Sequence, residues 1–111
     1  MFNFEKLEVW QKAIAYAGQV YRVTKVLFGL TNQVRRAANS ISSNIAEGSA
    51  RPPVDYARFL SYAAGSLFEV VTQATIARNE GFLTPDVDEK LYAEAEEISR
   101  MRSGLRRSRG E

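Results

Sequence analysis

The feature that most constrains the fold is an apolar pattern of helical period that recurs in four segments of the chain. In the first segment, from about Phe4 to Leu27, apolar residues recur at steps of three and four, which places them on one side of an α-helix. One row is Leu7, Trp10, Ile14, Ala17 and Tyr21, and a second is Val9, Ala13, Tyr16, Val20, Val23 and Leu27. Together the rows predict an apolar face around about half the helix, wider than the stripe of an ordinary surface helix.

Capping residues and breaks divide the rest of the chain into three further helices. Thr31 is the predicted N-cap of a second helix that runs to about Glu47, and Gly48 is its predicted C-cap. The third helix is predicted from Pro53 to Asn79 and ends at Gly81, and the fourth begins at Thr84-Pro85 and runs to about Arg107.

The predicted inward rows of these helices are again apolar. They are Val34, Ala37, Ile41 and Ile45 in the second, Tyr56, Phe59, Leu60, Ala63, Leu67, Val70, Ala74 and Ala77 in the third, and Val87, Leu91, Ala95, Ile98 and Leu105 in the fourth. No stretch alternates as a strand would. Four helices with short connections predict one all-α domain over residues 1–111, an antiparallel up-down four-helix bundle.

The composition argues against catalysis. The chain has neither cysteine nor histidine, which removes thiolate chemistry, the usual general base and the commonest zinc ligand. The carboxylates of residues 86–97 crowd the beginning of a helix, where they favour the helix dipole. We therefore expect no enzyme activity, no catalytic or metal-binding residues and no cofactor.

The sequence also predicts a cytoplasmic location. MFNFEKLEVW lacks the basic and apolar regions of a signal peptide. No apolar run approaches the roughly 20 residues that cross a bilayer, so no membrane association is expected.

The wide apolar faces of the first and third helices predict a homo-oligomer. The excess residues, which are the candidate subunit interface, are Tyr16, Val20, Val23, Phe68 and Val71. An exposed patch of this kind usually marks an interface between proteins. The alternative is that these helices sit deeper in the bundle and are covered on both flanks.

The second helix is unusually polar for a helix. Between Val34 and Gly48 it contains Asn39, Ser40, Ser42, Ser43 and Asn44, all with poor helix propensity. Two interpretations remain open. The small polar side chains permit tight helix packing with satisfied hydrogen bonds, or Asn39 and Asn44 form a polar recognition surface together with Arg35 and Arg36.

Arginines suggest a nucleic-acid partner. Seven are the candidate phosphate-binding residues: Arg35, Arg36, Arg51, Arg100, Arg102, Arg106 and Arg107. Arginine binds phosphates through paired hydrogen bonds. The alternative for the cluster that ends the fourth helix is a purely local one, because cations are favourable at a helix C-terminus.

Three stretches of the sequence resemble one known family. GLTNQVRRAANSISSNIAEGSAR, FEKLEVWQKAI and RFLSYAAGSLFEVVTQATIA resemble the "four helix bundle protein" family, encoded in intervening sequences of bacterial 23S rRNA genes. The resemblance implies an antiparallel bundle that assembles as a homopentamer. It also implies a fold similar to the accessory variability proteins of diversity-generating retroelements, which bind a reverse transcriptase and nucleic acid.

This resemblance refines the expected function. No catalytic residues are established for the family, so none is transferred. We expect a non-catalytic oligomer that binds RNA or DNA, and the alternative is a scaffold that binds a protein partner such as a reverse transcriptase. One departure is that the family usually has about half a dozen polar residues before GLT, whereas here Leu27 is followed directly by Phe28.

Overall fold

Four α-helices make up almost all of the described chain. The structure is a computed structural model that describes residues 2–24 and 31–108. After a short 3-10 helix at Asn3–Lys6, the helices are α1 (Glu8–Val23), α2 (Thr31–Ser49), α3 (Pro53–Asn79) and α4 (Pro85–Ser108). Within these ranges there is no β-strand, and the predicted all-α class is confirmed.

The helices surround one shared core. α1 packs on α2, α2 on α3, α3 on α4, and α4 packs back on α1, with the α2–α3 contact the most extensive. Within the described residues α1 and α3 make no direct helix–helix contact, so they lie diagonally across the core. None of these helices has both the length and the apolar content needed to cross a membrane.

The core is built from the predicted inward rows. The largest fully buried side chains are Tyr16, Val20, Ile41, Ile45, Tyr56, Leu60, Leu67 and Val70. In α1 it is the second apolar row that faces the core, from Val9 to Val20. In the first row Leu7 and Trp10 pack at the edge of the core, whereas Ile14 and Tyr21 are exposed.

The predicted start of the first helix at Phe4 is wrong. Asn3–Lys6 is a 3-10 helix, and Leu7 has extended backbone angles, so the α-helix begins only at Glu8. The predicted extension of this helix to Leu27 and the break at residues 28–30 lie outside the described residues.

Gly48 does not cap α2 as predicted. It is buried inside the helix, which continues to Ser49. A Cβ atom at this position would lie 2.6 Å from Cβ of Phe59 on α3. The glycine is therefore required for close approach of the two helices and not for a left-handed turn.

The connection between α3 and α4 follows the prediction. Gly81 adopts φ +83°, the left-handed conformation that glycine tolerates best, directly after α3. The amide of Phe82 donates a hydrogen bond to the carbonyl of Ala77 at 2.8 Å. At the start of α4 the amide of Val87 donates to Oγ1 of Thr84 at 3.3 Å, which confirms Thr84 as the N-cap.

Candidate nucleic-acid interface

α4 is divided by charge along its length. Its first half, residues 86–97, carries six carboxylates. Its second half carries Arg100, Arg102, Arg106 and Arg107 and no acidic residue up to Ser108. This order matches the dipole of the helix, which favours anions at its beginning and cations at its end.

The four arginines that end α4 form the candidate interface, which we call the arginine end. Within residues 2–24 and 31–108, none of them forms an ion pair with a carboxylate. Arg100, Arg106 and Arg107 are exposed, and Arg102 is half-buried. The arginine end therefore presents positive charge that the described part of the chain does not neutralise.

Arg102 is the most constrained of these cations. Its Nη2 atom donates a hydrogen bond to Oγ of Ser103 at 3.4 Å, and its Nε atom is buried without a partner among the described residues. Burial, and to a smaller extent the neighbouring cation of Arg106, lowers the pKa of Arg102. An anion placed here would raise the pKa of Arg102 again, because it would accept a hydrogen bond from the buried Nε atom and reduce the repulsion from Arg106.

A groove lies beside the arginine end, between the beginning of α1 and the end of α4. It has a volume of about 360 Å³ and is lined by Leu7, Glu8, Val9, Met101, Gly104, Leu105 and Ser108. Its walls are mostly apolar, with Glu8 the one ionisable side chain of the lining. The groove is thus suited to an apolar group more than to a phosphate.

Arg35 is held by the fold. Its Nε atom donates to Oγ1 of Thr24 at 2.9 Å, and its Nη2 atom donates to the carbonyl of Tyr21 at 3.1 Å. The guanidinium also lies 4.7 Å from the centre of the Tyr21 ring. Because the last carbonyls of a helix lack intrahelical partners, Arg35 caps the end of α1, and this role engages two of its five N–H donors.

The other two candidate arginines, Arg51 and Arg36, do not belong to the arginine end and differ in their contacts. Arg51 pairs with Glu47 at 3.3 Å and lies 4.9 Å from the centre of the Phe59 ring. Arg36 is exposed and lines a groove of about 200 Å³ between α2 and α3 together with Glu69. Of these two, only Arg36 has no ion-pair partner among the described residues.

The polar segment of α2 is mostly occupied with packing. Nδ2 of Asn39 donates to the hydroxyl of Tyr21 at 2.8 Å, which ties α2 to α1. Nδ2 of Asn44 donates to the carbonyl and hydroxyl of Ser40 at 2.8 and 2.9 Å, and Oγ of Ser66 donates to Oγ of Ser40 at 2.9 Å. These bonds support the interpretation of tight helix packing for Asn39 and Asn44.

Two of the predicted interface residues are not on the surface. Tyr16 and Val20 are each only 1% exposed, because they fill the core of their own chain. Val23 and Val71 are half-buried against that core. Phe68, with 58% of its surface exposed, is the one of the five that is free to contact a second molecule.

Sequence reasoning missed a set of exposed apolar residues on α3. Val54, Tyr62 and Ile76 lie on its outer side with Phe68. The missed signal is that large apolar residues also occur on the side of α3 opposite the inward row. The candidate interface residues of α3 were chosen next to the inward row instead.

The fold and the arginine end together describe an all-α protein of four helices with a basic end and no strands in its described ranges. The chain belongs to the family described as 23S rRNA-intervening sequence protein, which it matches over residues 5–104. The resemblance seen in the sequence is therefore confirmed. No curated protein matches the chain.

Proposed function

We propose that this protein is a non-catalytic, cytoplasmic, oligomeric bundle that binds RNA or DNA through the arginine end. The observation that carries the proposal is the concentration of four arginines at the end of α4 without an ion-pair partner among the described residues. Phosphates would neutralise these cations, and release of counterions would favour the association. The family description, which names a 23S rRNA intervening sequence, supports a nucleic-acid partner.

The proposal includes an antiparallel up-down arrangement of the helices. It is supported by pairs of contacts in which one residue number rises as the other falls. Tyr21 of α1 pairs with Asn39 of α2, and Thr24, the residue directly after α1, pairs with Arg35 of α2. Ser66 and Gln73 of α3 pair with Ser40 and Gln33 of α2 in the same reversed order.

The proposal also includes assembly of several copies, with a pentamer as the number that the family resemblance implies. Its support in this chain is the exposed apolar surface of α3, since patches of this kind usually mark contacts between proteins. In a ring, the arginine end would occur once in every subunit. Several weak contacts to one nucleic acid would then bind with high avidity.

Binding is tested by fluorescence anisotropy of labelled structured RNA and duplex DNA over a range of salt concentrations. We expect an affinity that falls steeply as salt rises, with a slope set by the number of phosphates contacted. The double substitution Arg106→Glu/Arg107→Glu should weaken binding and flatten this slope while leaving the helical content unchanged.

A matched control compares the single variants Arg107→Glu and Lys90→Glu, which change the net charge by the same amount at exposed positions, the second one away from the arginine end. Equal loss of affinity in these two single variants would show that net charge matters and the arginine end does not. If the unmodified protein bound neither nucleic acid at low salt, the proposed function would be wrong.

A second candidate function is a scaffold for a protein partner such as a reverse transcriptase. The exposed apolar residues of α3 favour it, because they suit a protein better than a phosphate backbone. Salt dependence separates the two functions, since an apolar contact weakens little as salt rises.

A further inference from the structure

The outer side of α3 carries an apolar strip opposite to the core. It consists of Val54, Tyr62, Phe68 and Ile76, all exposed. The same side also carries the exposed residues Arg58, Ser61, Glu69 and Thr72. The strip thus combines large apolar side chains with polar and charged groups, as the surface of a protein–protein contact does.

The strip is centred on an exposed glycine. Gly65 lies three residues from both Tyr62 and Phe68, and eleven residues, about three helical turns, from both Val54 and Ile76. A Cβ atom at Gly65 would meet nothing within 4 Å, so the chain's own packing does not require a glycine there. Glycine is disfavoured inside helices, and its usual benefit is the close approach of another backbone.

A second glycine with the same surroundings lies on α1. Gly18 is flanked by Ile14 four residues before it and Tyr21 three residues after it, and both are exposed. The nearest atom to a Cβ at Gly18 would be Nη1 of Arg22 at 3.4 Å, the end of a flexible side chain. This position is therefore also free of any packing requirement from the described chain.

We call Gly18 with Ile14 and Tyr21 the α1 strip, and Gly65 with the four apolar residues around it the α3 strip. The two strips are complementary in charge and point in opposite directions. α1 and α3 lie diagonally across the core, so their outer sides face away from each other. The strip on α1 carries Arg22 and the strip on α3 carries Glu69, each four residues after its glycine. Neither forms an ion pair within residues 2–24 and 31–108. Arg58 also lies on the outer side of α3, but it is paired with Asp55 at 3.2 Å.

We propose that the α1 strip of one copy binds the α3 strip of a second copy, with Gly18 and Gly65 allowing the two helices to approach closely. This inference rests on the oligomer of the proposed function and identifies its contact surface. Because the two surfaces that meet are different, a row of bound copies always has an unpaired α1 strip at one end and an unpaired α3 strip at the other. A head-to-tail contact of this type makes a ring when the rotation closes and a filament when it does not.

The test uses Gly18→Gln and Gly65→Gln, which put a long, neutral, helix-compatible side chain at each close approach. Sedimentation velocity should show assembled wild-type protein and a shift of each variant towards monomer, with the concentration for half-assembly raised about tenfold or more. Gly104→Gln is the matched control. It changes a half-buried glycine of α4 that borders the groove beside the arginine end and belongs to neither strip, and it should assemble like the wild type.

Mixing the two variants tests the head-to-tail geometry. The Gly65→Gln chain keeps its α1 strip and the Gly18→Gln chain keeps its α3 strip, so an equimolar mixture should form a one-to-one dimer that neither chain forms alone. Circular dichroism of each variant should show wild-type helical content.

Three outcomes would overturn the inference. Assembly of both variants like the wild type would place the contact elsewhere, while the proposed oligomer would stand. Self-association by the Gly18→Gln variant, but not by Gly65→Gln, would indicate a symmetric contact of two α3 strips. A monomeric wild-type protein at micromolar concentration would refute the oligomer itself.

Discussion

Gly48→Ala should destabilise the protein, although alanine is the better helix former. The added Cβ would lie 2.6 Å from Cβ of Phe59 and 3.2 Å from Cδ1 of Tyr56. Cβ of Phe59 is fixed to the backbone of α3, so rotation of a side chain cannot relieve that contact. α2 and α3 must instead move apart at the end where they are closest.

The two opposing effects differ in size. Replacing glycine by alanine inside a helix contributes at most about 1 kcal/mol of stability, and less near the end of a helix. Overpacking of a well-packed core costs about 1–3 kcal/mol. We expect a net loss of about 1–2 kcal/mol in the free energy of unfolding, which lowers Tm by about 4–16 °C for a domain of this size.

Urea unfolding followed by far-UV circular dichroism measures this loss. All variants must be compared at one protein concentration, because association shifts the apparent stability. The matched control is Gly104→Ala, where the nearest atom to the new Cβ would be Nη2 of Arg107 at 3.9 Å. The control should gain about 0.5–1 kcal/mol, since only helix propensity changes.

Opposite signs for the two substitutions are the essential result. A Gly48→Ala protein as stable as the control would mean that α2 and α3 are not in close contact there. A loss in both variants would point to a cause common to glycine replacement, and the packing explanation would be wrong.

Two further predictions concern polar side chains that the fold has placed. Arg35→Ala should lower the free energy of unfolding by about 1–2 kcal/mol, because the hydrogen bonds to Thr24 and Tyr21 at the end of α1 are lost; unchanged Tm would refute the capping role. Burial, with smaller contributions from Glu94 and Asp88, raises the pKa of Tyr16, so the unfolded chain releases this proton first and stability should fall as pH rises above about 10. Tyr16→Phe should reduce that fall, as measured by urea unfolding at several alkaline pH values, and an identical pH profile would contradict the assignment.

The sequence predicted the bounds of α3 and the start of α4 correctly because local chemistry fixes them. Pro53 suits a first helical position, Gly81 supplies a left-handed turn, and Thr84 caps the next helix. Most inward residues of α2, α3 and α4 were also predicted correctly, although Phe59, Val87 and Leu105 are only half-buried. In α2 and α4 the opposite side is mostly polar, so few other residues could have formed the inward row.

The predictions that failed concern residues whose placement is determined by contacts between helices. α1 has two apolar rows, and the period alone could not tell which row faces the core; Tyr16 and Val20 were therefore assigned to the surface that Ile14 occupies. Gly48 is a residue type that often caps a helix, but its role here is to leave room for Phe59 of another helix. The capping of α1 by Arg35 also escaped the prediction, because its partners Thr24 and Tyr21 are 11 and 14 residues away.

The partition of charge along α4 has a consequence for how a polyanion would approach the molecule. Carboxylates in the first half of α4 and arginines at its end make this helix a dipole whose positive pole is the arginine end. A nucleic acid is therefore attracted to the arginine end more than to the beginning of α4 before any contact forms. This preference would raise the rate of productive encounters although the net charge is only +2, and added salt would slow association by screening it.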